Sequence, residues 1–278
     1  MTQAEKIVRF RALHERGLFV MPNPWDPGSA AYLQSLGFQA LATTSLGYAF
    51  SVAKPDFEWA VSRDEMLAHI GTMAAGSTLP LNADFESGYA HDPQGVHESV
   101  RLCVDAGVAG LSIEDNTGDK TRPLYDLPLA IERIKAARAA IDASGLPVVL
   151  TGRAECWLVN HPEPLAESTR RLVAYAEAGA DCLYAPGVRT PAEIAALVKA
   201  IAPRPFNLLI GSPGISARQA EDLGVRRISV GGALARVAWG AFMTVAEDIA
   251  RNGTFDGLGT AASAGTLNTL FRGQPSTP

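Results

Sequence analysis

Four times along this chain a helical pattern stops at a glycine and an apolar, strand-like run begins at once: Leu36-Gly37-Phe38, Ala106-Gly107-Val108, Ala178-Gly179-Ala180 and Leu223-Gly224-Val225. A glycine just past a helix supplies the left-handed residue that ends it. So short a gap leaves room only for a tight helix-to-strand corner. Helix starts are marked as well. Ser62 with Glu65 and Thr190 with Glu193 have capping-box spacing, Pro191 takes a first helical position, and Asp92-Pro93 offers another cap followed by proline. Between these marks, strands are predicted near 18–22, 40–44, 79–84, 110–114, 148–152, 182–185, 206–210 and 227–230. They are continuous apolar runs rather than alternating ones, as in a parallel sheet covered on both faces. About eight strand–helix units predict an α/β fold, a (β/α)8 TIM-type barrel, as one domain over 1–278. A doubly wound open sheet alternates in the same way. The strand count favours the barrel, as does Asn23-Pro24-Trp25-Asp26 standing where a dinucleotide-binding fold would carry G-x-G-x-x-G. The stretch from about 252 to 278 reads as a C-terminal extension: a short helix docking on a neighbouring subunit, or a loose tail.

Composition removes several function classes. The net charge is −5 and the basic residues are dispersed, so the footprint of a nucleic-acid binder is missing. No apolar run approaches the ~20 residues of a membrane helix, and residues 1–16 lack the apolar core of a signal peptide. Three widely spaced cysteines (Cys103, Cys156, Cys182) argue against a disulfide framework and for a reducing, cytoplasmic setting. None of the five lysines falls in a predicted strand, which disfavours a Schiff-base aldolase. The histidines show no metal-binding spacing.

In a barrel of this kind the chemistry gathers at the C-terminal ends of the strands. Those ends carry Asn23, Trp25 and Asp26; Thr43, Thr44 and Ser45; Asp84 and Glu86; Glu114 and Asp115; and Arg153 and Glu155. Asp84 and Glu86 are two apart and face the same way if the strand persists. Magnesium takes octahedral oxygen ligands and keeps several waters, so Asp84, Glu86 and Glu114 are the candidate metal ligands, with Mn²⁺ as an alternative to Mg²⁺. Arg153 suits a bidentate clamp on a carboxylate or phosphonate. Its bland alternative is a salt bridge to Glu155 or Glu114. Trp25 and Thr44, with Asn207 on the seventh strand, complete the candidate substrate contacts. Gly211-Ser212-Pro213-Gly214 and Gly231-Gly232 are a weak signal for a phosphate pocket.

Ala42-Thr43-Thr44-Ser45, Asp84-Phe85-Glu86-Ser87-Gly88-Tyr89, Ile113-Glu114-Asp115 and Gly152-Arg153-Ala154-Glu155 together resemble the isocitrate lyase/phosphoenolpyruvate mutase superfamily, in order, from about residue 19 to about 246. The resemblance implies a barrel, Mg²⁺, a 2-oxo acid or dicarboxylate ligand, and homo-dimers or homo-tetramers that exchange a C-terminal helix. By motif, Ser45 and the backbone of Leu46 and Gly47 resemble the contacts to the ligand carboxylate. Asp56 resembles the acid that approaches the metal from the second loop, Asp84 the direct metal ligand, Glu86 and Glu114 the water-mediated ones, and Arg153 the residue that binds the far anionic end. The loop after the fourth strand departs from the lyase pattern. Asn116-Thr117-Gly118-Asp119-Lys120-Thr121-Arg122 stands where isocitrate lyases carry their Cys-Gly-His run, so the chain looks more like the short-loop, decarboxylase-like branch. The implied function is a lyase that cleaves or decarboxylates a small 2-oxo or 2-hydroxy dicarboxylate through a metal-stabilised enolate. Asp56, Tyr48 and the 116–122 loop are the candidates for its acid/base. P–C bond cleavage of a phosphonate, or a 2-oxo acid binding protein without turnover, are the alternatives.

Overall fold

In the computed structural model, which describes residues 1–57 and 59–272, eight parallel strands form one sheet in the order β1-β8-β7-β6-β5-β4-β3-β2. The strands are β1 (Phe19–Met21), β2 (Leu41–Ala42), β3 (Leu81–Asp84), β4 (Gly110–Glu114), β5 (Val149–Arg153), β6 (Cys182–Tyr184), β7 (Phe206–Leu209) and β8 (Arg227–Ser229). Each lies within its predicted stretch except β5, which runs one residue further, to Arg153.

Between them lie α2 (Pro27–Ser35), α3 (Ser45–Ser51), α4 (Arg63–Gly76), α5 (Pro93–Asp105), α6 (Leu127–Ala143), α7 (Pro164–Glu177), α8 (Pro191–Ile201) and α9 (Ala217–Asp222). The predicted caps are in place. Ser62, Asp92 and Thr190 each accept from the backbone N–H three residues on, and Gly37, Gly107, Gly179 and Gly224 all have positive φ. Among the described residues no helix is long and apolar enough to cross a membrane.

β1 and β2 share no strand ladder, and the seam between them is closed by other means. The Ala42 N–H donates to the Pro22 carbonyl at 3.1 Å. Above that, the buried Asn23 amide acts as a staple. Its Nδ2 donates to the Thr43 carbonyl at 2.8 Å, and its Oδ1 accepts from the Val230 and Gly231 N–H groups at 2.9 Å each. Asn23 therefore closes the seam and joins it to the end of β8.

The opposite pole is plugged by α1 (Gln3–Leu13), whose Ile7 and Phe10 are fully buried. Burying each is worth about 1.5–3 kcal/mol. Phe10 fits because β4 starts with glycine: a Cβ on Gly110 would stand 2.6 Å from the Phe10 ring. Beneath it Arg227 crosses the barrel interior, donating to Asn207 Oδ1 at 2.8 Å and Thr151 Oγ1 at 3.0 Å. Against this floor His14 stays neutral, its pKa pushed down to about 3 by burial and by Arg227.

After β8 the chain continues into α10 (Ala233–Asn252), in which only Ala235 is buried, and α11 (Ala264–Arg272), which lies against α2 of the same chain. Val237, Trp239, Phe242 and Met243 are large apolar side chains left exposed on α10.

Candidate active site

Asp84, Glu114 and Arg153 are the last residues of three adjacent strands, and register sets Glu114 directly beside Arg153. The Arg153 guanidinium bridges the acids. Its Nη1 lies 2.9 Å from Glu114 Oε2 and 3.2 Å from Asp84 Oδ1, while Nε donates to Glu155. The Tyr184 ring lies 5.3 Å from the guanidinium carbon, within cation–π range. Burial opposes the charged guanidinium, yet Glu114 and Glu155 hold its pKa well above the usual value. Asp84 is oriented from the other side as well. Its Oδ2 accepts from both the N–H and the hydroxyl of Ser45 at 3.1 Å, and its own N–H donates to Thr43 Oγ1 at 2.9 Å. Ser45 opens α3, which Thr44 caps by accepting from the Gly47 N–H at 3.2 Å.

Glu86 reaches the cleft by a different route from the one expected. The strand ends at Asp84, Phe85 turns into the core, and Glu86 takes a left-handed conformation with φ +47°. Its carbonyl still accepts from the Glu114 N–H at 3.0 Å, which locks the turn onto β4. The Glu86 carboxyl accepts from the Tyr89 hydroxyl at 2.7 Å. Burial and the neighbouring Asp84 and Asp56 charges push its pKa up to about 7. Glu114 is likewise raised, by burial first and then by Glu155 and Asp84, with Arg153 opposing.

Non-glycine residues with positive φ are costly and concentrate at functional sites. Among the described residues there are five: Ala53, Trp59, Glu86, Tyr89 and Asn160. Trp59, Glu86 and Asn160 line one cavity of about 650 Å³, Tyr89 holds Glu86, and Ala53 begins the loop that carries Asp56. Ser45, Asp56, Glu114, Arg153 and Glu155 form the polar part of that cavity, with Phe57, Pro123, Leu158 and Val159 nearer solvent and Asn116, Gly118, Asp119 and Lys120 along one edge. Burial, together with the Asp84 charge, raises the Asp56 pKa.

The remaining candidates lie elsewhere. Tyr48 stacks on His69, ring centroids 3.9 Å apart, and is absent from the cavity wall. Trp25 packs beneath Gly47, where a Cβ would stand 2.9 Å from its own Cβ, and Leu46 fills the space over Gly232. Asn207 sits deep in the barrel between Arg227 and Ser229. Asp115, adjacent to Glu114, faces the other way. It accepts from Tyr175 at 2.6 Å, Arg171 at 3.0 Å and the Glu155 N–H at 2.9 Å, so it braces the strand ends from behind. In the sequence Asp115 groups with Glu114 at the strand end; successive residues of an extended chain project to opposite sides, and that turns it away. Trp59, Leu158 and Val159 carried no such signal, because their loops have no period.

The donor set is all oxygen and hard, as Mg²⁺ requires. A cationic group, the guanidinium, already lies between Asp84 and Glu114. Among the described residues no three His, Cys, Asp or Glu side chains are arranged to cage an ion. The residues present are thus compatible with a hard divalent ion in donor chemistry, while the contacts they make are to the Arg153 guanidinium.

Residues 10–250 match the phosphoenolpyruvate phosphomutase family. A lyase/mutase-class crystal structure from Burkholderia cenocepacia J2315 is 45% identical and superposes with a TM-score of 0.93 over 99% of this chain and 98% of that one. An uncharacterised Mycobacterium tuberculosis protein is 34% identical over 80% of this chain and 81% of its own. The oxaloacetate decarboxylase of Rhodopseudomonas palustris is 27% identical over 91% of this chain and 83% of its own.

Proposed function

This chain belongs to the phosphoenolpyruvate phosphomutase family, and on that premise we propose that it is a Mg²⁺-dependent carbon–carbon lyase that cleaves or decarboxylates a small 2-oxo or 2-hydroxy dicarboxylic acid. The observation that carries the reading is the Arg153 guanidinium held between Asp84 and Glu114 at the strand ends, a place where a cation and an anionic ligand can both be received. The relationship to an oxaloacetate decarboxylase supports the carbon–carbon reading.

Asp84, Glu86 and Glu114 would hold the metal, which supplies Lewis acidity to the 2-oxo and carboxylate oxygens. Ser45 would bind the near carboxylate, exchanging Asp84 for it. Arg153, freed from its acids, would bind the far one. Its orientation would survive the exchange because Glu155 keeps Nε. Asp56 is favoured over Tyr48 for proton transfer. It faces the cavity, and its raised pKa brings it nearer to the working pH. Leu158, Val159 and the 116–122 loop would exclude water from the developing enolate.

The exposed apolar side chains of α10 support a homo-oligomer, dimer or tetramer. The three free and buried cysteines agree with a reducing, cytoplasmic setting.

The test is a thermal-shift titration with oxalate, which mimics the enolate of pyruvate, in Mg²⁺ and in EDTA. Ligand at 100 times its Kd adds about 2.7 kcal/mol, or several degrees at this size. A rise abolished by EDTA supports the reading, and its absence in both conditions removes it. Phosphate release from phosphonopyruvate would redirect it to P–C cleavage.

A further inference from the structure

Among the described residues, the loop that carries Asp56 is fastened to the turn that carries Glu86 through Trp59. Its indole Nε1–H donates to Ser87 Oγ at 3.1 Å. The ring lies against His91 and Tyr89, with centroids 4.8 and 6.2 Å away. Ser87 is buried and immediately follows Glu86. Trp59 makes these contacts in a left-handed conformation, φ +50°, which a bulky residue adopts only where its surroundings hold it there. The segment opens on another left-handed residue, Ala53 at φ +57°. Asp56 thus lies between two strained corners, the second of which is bonded to the turn that carries Glu86.

We infer that Trp59 is a positioning residue: it fixes the reach of Asp56 by tying the 53–60 loop to the Glu86-Ser87 turn, so that Asp56 is placed according to the state of that turn. The inference rests on the proposed role of Asp56 and adds the residue that sets its position. Ring packing alone would leave the loop free to slide. The indole–Ser87 hydrogen bond gives it one register. Trp59 is not itself placed to exchange a proton with substrate, and its influence passes through Asp56.

The experiment is hydrogen exchange of residues 53–57 in the full-length protein, with and without Mg²⁺ and oxalate, comparing wild type, Trp59→Phe, Ser87→Ala and the double variant. Trp59→Phe keeps the ring and loses the indole donor, whereas Ser87→Ala keeps the tryptophan and loses the acceptor. A neutral hydrogen bond is worth about two- to tenfold in such an opening equilibrium. Each single variant should speed exchange by that factor, and the double variant should add nothing further. On any 2-oxo acid that the wild type turns over, both variants should lower kcat severalfold with KM little changed, a split that general loosening of the fold would not produce. Equal loop exchange in wild type and both single variants would overturn the tether, as would additive effects in the double. Absence of Mg²⁺-dependent oxalate binding in the wild type would instead remove the proposed function, and the exchange comparison would still decide the tether.

Discussion

Asp84 is the most heavily engaged acid in the cleft, with Arg153 on one oxygen and Ser45 on the other. Asp84→Ala should abolish the Mg²⁺-dependent oxalate shift while leaving the fold intact, since Arg153 keeps Glu114 and Glu155; wild-type oxalate affinity in that variant would end the metal assignment. Glu86 supplies a second residue-scale prediction. Its folded pKa of about 7 lies above the ordinary 4.5, so between those values the folded state keeps a proton that the unfolded chain has released. Its contribution to stability is full below about pH 4.5 and is lost as pH rises through 7. Urea unfolding of the metal-free wild type, relative to Glu86→Gln, should therefore weaken over that window by at most about 3 kcal/mol. A flat difference profile would show that Glu86 titrates normally. At this scale the sequence was legible wherever a residue's place follows from strand position, as for Asp84, Glu114 and Arg153. It was not for Glu86, whose approach depends on a left-handed turn, nor for Asn207, whose strand is right but whose depth in the barrel is set by its partner Arg227.

Among the elements, the weakest join in the barrel is the β1–β2 seam, which one backbone bond and one side chain close. Replacing Asn23 by alanine leaves the Val230 and Gly231 donors and the Thr43 acceptor without that side chain. A buried polar group stripped of its partner costs about 1–3 kcal/mol. The urea midpoint of Asn23→Ala should fall accordingly, with oxalate binding preserved because no cavity residue is changed. If oxalate binding is lost in step with stability, Asn23 is part of the site. The elements themselves were largely legible, since short apolar runs, proline and serine or threonine caps, and glycine stops are local chemistry and mark each boundary to within a few residues. The seam was not. Asn23 read as a candidate for chemistry because it stands at a strand end, and only the tertiary path of β2 and β8 reveals what its amide joins.

At the scale of the whole molecule, α10 is the element least accounted for by a single chain. Four large apolar side chains point outward on it, more than one isolated surface residue explains. Val237→Glu with Phe242→Glu should turn an oligomer into a well-folded monomer by sedimentation velocity, whereas a wild-type protein already monomeric at micromolar concentration would remove the need for a partner. The cleft has a consequence of its own at this scale. Arg153 serves as an internal counter-ion, its one positive charge shared among Asp84, Glu114 and Glu155. Under the proposed function, metal entry would be an exchange, in which a displaced guanidinium would need a new anion and the substrate would bring one. Metal and acid should each tighten the other's grip by the same factor, so the pair is best captured as a ready-made chelate. Calorimetric titration of oxalate at graded Mg²⁺ would read that reciprocity directly.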